Sequence, residues 1–177
     1  MAIRDFEDHL PDIHPTSYID DKALVIGHVK IGEHCSLWPF TVVRGDINSI
    51  TIGNNTNIQD NSVLHVTHAG PYNTSGYSLT IGNNITVGHR VTLHGCTIKD
   101  NCLIGMGSTI MDGAIIQTNT YIAAGSLVPP GKNLESGYLW KGSPAKKARA
   151  LTEEEIESIQ YSAQHYVDLK NRYHESQ

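Results

Sequence analysis

Three histidines in this chain have the chemistry to hold a metal ion. His89 and His94 lie together in VGHRVTLHGC, and His65 lies upstream in NSVLHVTH. Imidazole is the commonest protein ligand for transition metals. The spacing suits no simple element. His89 and His94 are five residues apart, whereas one face of an α-helix gathers residues three or four apart. On a flat strand an odd spacing sends two side chains to opposite sides. If one ion takes all three, the fold must explain how they meet.

A repeat supplies the frame. Aliphatic residues recur every six positions in five groups of three: Ile31, Leu37, Val43; Ile52, Ile58, Leu64; Ile81, Val87, Leu93; Ile98, Ile104, Ile110; and Ile116, Ile122, Val128. Four residues after most of them sits a small or β-branched residue, such as Cys35, Thr41, Ser62, Thr97, Cys102 and Ser108. A strict period of six fits no α-helix. It fits short strands joined by tight turns, three to a coil, stacked as a parallel β-helix with the aliphatic and the small residue inward. Irregular steps fall between the groups of three, so insertions leave at one corner; the largest surrounds HAGPYNTSGYS, a polar loop. Cys35 and Cys102 then read as inward packing residues. Cys96 stands beside the histidine pair, out of column with all three histidines.

The register gives each polar residue an address. Counting the aliphatic as position zero, Arg44, His65 and His94 all stand at position one of the third face, in successive coils. Coils stack about 4.8 Å apart, so His65 and His94 face outward close enough to share an ion. His89 stands at position two of the second face, in the column of Asp60. Outward groups on different faces of a prism diverge, so a neighbouring subunit must supply the third ligand. Three subunits side by side would form three equivalent sites, a closed homotrimer. An all-nitrogen set suits Zn²⁺, with Fe²⁺, Co²⁺ or Ni²⁺ as alternatives. Three ligands leave a position open for water, the catalytic pattern.

The remaining chain sets the boundaries. Residues 1–135 form the β-helix, with the N-terminal thirty residues as an irregular cap. Residues 136–151 are a connector. Thr152 to Glu155 reads as a capping box that opens an amphipathic helix over 152–174, whose apolar stripe is Ile156, Ile159, Ala163, Tyr166 and Leu169. It is expected to pack along the solenoid. Composition excludes other classes. The 177 residues are 39% hydrophobic and 18% charged, with 16 glycines, which argues against disorder and a helical bundle. A net charge of −5 gives no reason for a nucleic-acid or membrane-surface partner. The N-terminus has no apolar signal segment, and no apolar run is long enough to span a bilayer. Three cysteines without a framework spacing fit a reducing cytoplasm.

The motifs RGD, TNIQD, VLH, VGHRVTLHGC and GMGS, in this order, with LESGY, GSPA and EIESIQYSA, resemble the gamma-class carbonic anhydrases and their bacterial YrdA-type branch. The resemblance covers nearly the whole chain. It implies a left-handed β-helix, a trimer and zinc held by His65, His94 and the adjacent subunit's counterpart of His89. It places Arg44 and Asp46 at the interface, and Asn57, Gln59 and Asp60 near the metal-bound water. Tyr161, off the helix's apolar stripe, matches a tyrosine that reaches the site in many relatives. The chain also departs from the active members. They carry glutamate where it has Ile47, and another where it has His68. Those acids serve proton transfer, a task that His68 could take over.

The function implied is reversible hydration of CO₂ to bicarbonate, weak or conditional because of those departures. Two rivals stand beside it. One is an acyl-CoA transferase, which would use a histidine as general base and no metal. The other is a non-catalytic metal-binding trimer.

Overall fold

The computed structural model describes residues 3–175. They form a parallel β-helix of short strands with one C-terminal α-helix. Its register reproduces the six-residue period. One face stacks Ile13, Ile31, Ile52, Ile81, Ile98, Ile116 and Leu134. The second stacks Ile19, Leu37, Ile58, Val87, Ile104, Ile122 and Trp140. The third stacks Val25, Val43, Leu64, Leu93, Ile110 and Val128. Nearly all of these side chains are buried in one continuous core. Each fully buried aliphatic contributes about 1.5–3 kcal/mol relative to exposure, so the column holds the coils together.

Both ends are more regular than the spacing suggests. The step of six already runs through Ile13, Ile19 and Val25, and these residues form a full coil paired in parallel to the next. Pro11 and Pro15 flank the short strand Asp12–Ile13 rather than interrupt it, so neither removes a bond from its ladder. At the other end, Tyr138–Lys141 adds a further parallel strand to the second face, and Lys146–Ala150 folds back on it as an antiparallel hairpin. The inward slot after Leu93 also differs. Cys96 is buried there and Thr97 is only half-buried. The step from Leu93 to Ile98 is five rather than six, so the deletion moves the slot back by one residue.

The helix, Glu153–Glu175, begins with the expected reciprocal cap. Glu155 N–H donates to Thr152 Oγ1 (3.2 Å), and Thr152 N–H donates to Glu155 Oε2 (3.0 Å). Ile159, Ala163, Val167 and Lys170 are buried, and the helix packs on the second face. Trp38 anchors its later turns, with the Tyr166 ring 5.7 Å and the Tyr173 ring 5.0 Å away, centroid to centroid. No helix among the described residues is long and apolar enough to cross a membrane.

Candidate metal centre

His65 ends the strand Val63–His65, and His94 ends the strand Thr92–His94. The two residues are direct partners across adjacent coils. Leu64 and Leu93 point inward beside them, so both imidazoles must point out. His65 Nδ1 lies 3.1 Å from His94 Nε2.

The opposite nitrogen of each ring meets a carboxylate. His65 Nε2–H donates to Asp46 Oδ1 (3.0 Å), and His94 Nδ1–H donates to Asp112 Oδ1 (2.6 Å). An ionised carboxylate only accepts, so these contacts assign the protons. In the neutral rings, His65 Nδ1 and His94 Nε2 therefore carry lone pairs aimed at each other. Two lone pairs at 3.1 Å repel unless a cation, either a metal ion or a shared proton, lies between them. Two ligands of tetrahedral zinc, with Zn–N bonds of about 2.0–2.1 Å, stand roughly 3.3 Å apart. The donor set thus fits a metal, and the acid behind each histidine is the arrangement that orients metal ligands.

The carboxylates are themselves held. Asp46 Oδ2 accepts from Arg44 Nη1. Burial pushes the Asp46 carboxyl up, but the bonds from Arg44 and His65 outweigh it and keep the group below the usual carboxylate range. Burial lowers the His65 pKa; the Asp46 bond opposes this, and the Arg44 charge adds to it. The balance favours neutral imidazole, the form that ligates. Asp46 owes its place to a close approach of backbones. A Cβ on Gly45, the glycine of RGD, would lie 2.6 Å from His28 O.

His89 lies in the turn between the second and third faces. Its Nδ1–H donates to Asp60 Oδ2 (2.9 Å), which leaves Nε2 as the lone pair. Both side chains are partly exposed. Among the described residues no group of three or more His, Cys, Asp or Glu side chains is placed to hold a metal within one chain. His65 and His94 come together, and His89 stands with Asp60 instead.

Gln59 and Asn57 are buried on the second face, where Gln59 Nε2 donates to Asn57 Oδ1 (3.2 Å). Asn57 Nδ2 reaches Thr86 Oγ1 (3.0 Å), which is 3.0 Å from Ser162 Oγ on the helix. Gln59 and His89 line one groove of about 310 Å³ with Met106, Ser162 and Tyr166. Arg44 pairs with Asp46 of its own chain. His68 is exposed and lines a separate groove of about 500 Å³ with His9, His28, Asp46 and Ile47. Tyr161 is 72% exposed and stacks on His165.

Asp112 is the residue that sequence reasoning missed. It stands two positions after Ile110 on the third face, one coil beyond His94. An acid at that corner address was the available signal.

A family model for the bacterial transferase hexapeptide (six repeats) matches residues 95–130. Over 172 residues, 97% of this chain and 94% of the relative, the sequence is 50% identical to Protein YrdA of Escherichia coli. It is 44% identical to the mitochondrial gamma carbonic anhydrase 2 of Arabidopsis thaliana, over 92% of this chain and 58% of the plant protein. This chain belongs to the gamma carbonic anhydrase-like hexapeptide-repeat family. Among solved structures, a hexapeptide transferase family protein from Anaplasma phagocytophilum superimposes with a TM-score of 0.90 at 41% identity, covering 97% of this chain and 98% of the other. The family thus includes members named for lyase and for transferase chemistry, and the site must separate them.

Proposed function

We propose that the protein is a zinc-dependent gamma-class carbonic anhydrase-like enzyme that interconverts CO₂ and bicarbonate at sites shared between subunits of a homotrimer. The observation that carries this reading is the His65–His94 pair, two convergent lone pairs each backed by a carboxylate. Similarity to the plant gamma carbonic anhydrases supports it.

In this reading His65 Nδ1 and His94 Nε2 would hold the ion from one subunit, and Nε2 of the neighbour's copy of His89 would hold it from the next. Fe²⁺, Co²⁺ or Ni²⁺ could take the same nitrogens. The metal, when bound, supplies a Lewis acid that makes water nucleophilic near neutral pH. Asp46 keeps His65 in the ligating tautomer, and Arg44 fixes Asp46. Asp60 does the same for His89. Gln59, held by Asn57, would orient water and CO₂ at the site. His68 takes the released proton to solvent in place of the missing acids. Tyr161, exposed on the helix, faces an adjoining subunit. Buried thiols and the absence of a framework pairing fit a cytoplasmic setting.

The test is stopped-flow CO₂ hydration with the protein loaded in turn with zinc and iron. A rate above buffer with either metal that falls at least 100-fold in His94→Ala supports the reading. No rate with either metal sinks it and favours a non-catalytic metal-binding trimer. A second reading, acyl transfer from an acyl-CoA, is favoured by the similarity to a transferase family member. It would show as acetyl-CoA binding that needs no metal.

A further inference from the structure

We propose that Asp112, steadied by Thr67, is the positioning residue that fixes His94 with its proton on Nδ1 and its lone pair on Nε2, and that the insertion after His65 is thereby part of the metal centre. The proposal deepens the reading above and rests on His94 being a ligand.

Asp112 stands on the coil beyond His94, and its two oxygens are both used. Oδ1 accepts from His94 at 2.6 Å, and Oδ2 accepts from the Thr67 hydroxyl at 2.8 Å. The contact has been given room. Gly95 follows His94 with φ of 52°, a conformation that costs an L side chain about 1–2 kcal/mol. A Cβ there would lie 2.4 Å from Asp112 Oδ1 and 2.6 Å from Tyr77 Cβ. A Cβ on Gly113, beside Asp112, would lie 2.9 Å from the Tyr77 ring. Tyr77 and Thr67 are the two ends of the insertion, joined by reciprocal backbone bonds of 3.0 and 2.9 Å. Asn48 Nδ2 donates to Thr67 O (3.1 Å). The loop is therefore clamped at its neck, and the clamp holds the hydroxyl that orients Asp112.

The two acids differ in kind. Asp46 shares its charge with the Arg44 guanidinium, whereas the second oxygen of Asp112 meets a neutral hydroxyl. Asp112 therefore pulls harder on its imidazole N–H, which makes His94 Nε2 the stronger donor of the pair.

Two readouts on the intact oligomer test this. The first is the nitrogen-15 spectrum of the histidines in metal-free protein at about pH 8.5, above the usual histidine range. His94 is expected to carry its proton on Nδ1, and the Asp112→Asn variant to populate both tautomers. The second is Zn²⁺ affinity, by competition with a chromophoric chelator. Asp112→Asn should bind about 10–100-fold more weakly. Thr67→Val should weaken binding in the same direction, and Thr67→Ser, which keeps the hydroxyl, should restore it. If Asp112→Asn fails to fold, the Thr67 pair carries the test. The proposal is overturned if wild-type His94 is protonated on Nε2. It is also overturned if Asp112→Asn lowers the melting temperature yet leaves tautomer and affinity unchanged, because that marks a merely structural acid. Wild-type protein that shows the Nδ1 tautomer but binds no zinc refutes the metal reading of the site and upholds the assignment of Asp112.

Discussion

Replacing Gly95 with alanine should cost much more than the same change at Gly107, although both glycines sit in left-handed turns. Gly95 has φ of 52° and Gly107 φ of 69°, so each variant incurs the same strain, about 1–2 kcal/mol. Beyond Gly107 a Cβ meets nothing within 4 Å, so strain is its whole cost. At Gly95 the Cβ would lie 2.4 Å from Asp112 Oδ1 and 2.6 Å from Tyr77 Cβ. Asp112 must then leave His94, and a charge-assisted hydrogen bond of about 1.5–3 kcal/mol is lost. The Gly95→Ala variant should therefore be about 1.5–3 kcal/mol less stable than Gly107→Ala. For a chain of this size that is roughly 3–12 °C in melting temperature. Thermal melts of the metal-free proteins at one matched concentration give the comparison. Equal melting temperatures would refute the crowding at Gly95 and the local rigidity of the Asp112–His94 contact.

Further outcomes follow from burial and charge. Burial pushes the Cys35 thiol up to about 11, and those of Cys96 and Cys102 up to about 12. Thiolate is the reactive form, so at pH 8 an aromatic disulfide reagent should find no thiol in the folded protein and all three after denaturation. Hydrogen bonds from Arg149, and then from the Thr152 amide, hold the Glu155 carboxyl down at about 2. A depressed carboxylate contributes stability above its unfolded value near 4.5 and loses it as pH falls through 2. The helix signal in circular dichroism should therefore weaken from pH 4.5 to pH 2, and Glu155→Gln should flatten that profile. Leu93→Ala, in the core beside His94, should cost about 2–5 kcal/mol in chemical denaturation. A cost below 1 kcal/mol would mean the third face is not packed as described.

The repeat was the most legible feature, because a period of six has few physical solutions and each coil restates it. Ile31 to Val128 fell into the ladders the spacing requires. The period also ran through Ile13, Ile19 and Val25, where two prolines masked it; proline breaks a ladder inside a strand, and these two stand beside one. The Cys96–Thr97 exchange shows the limit of counting. One deleted residue changes which side chain turns inward, and only the backbone reveals where the turn absorbs it. In the site, the stacking of His65 on His94 was readable from their shared address. Asp46 and Asp112 were harder to place. Carboxylates at strand corners swing through a wide arc, and their targets depend on glycines such as Gly45 and Gly95 that let the backbones close. The address of Asp60 put it in the column of His89, and the two side chains do meet.

Complementation of metal binding shows whether one ion is held by two chains. His65→Ala and His89→Ala are each purified, and each should bind no zinc at this site. The two are then unfolded, mixed in equal amounts, refolded and assayed for tightly bound zinc. In a trimer with sites between subunits, any ring containing both variants has one intact site in three. Random assembly places both variants in about three rings of four, so the mixture should recover about one quarter of the wild-type metal content. Recovery near that level is expected for a site shared between subunits. Mixed oligomers that bind no more zinc than either variant alone would contradict it, and would return His89 and Asp60 to a surface pair.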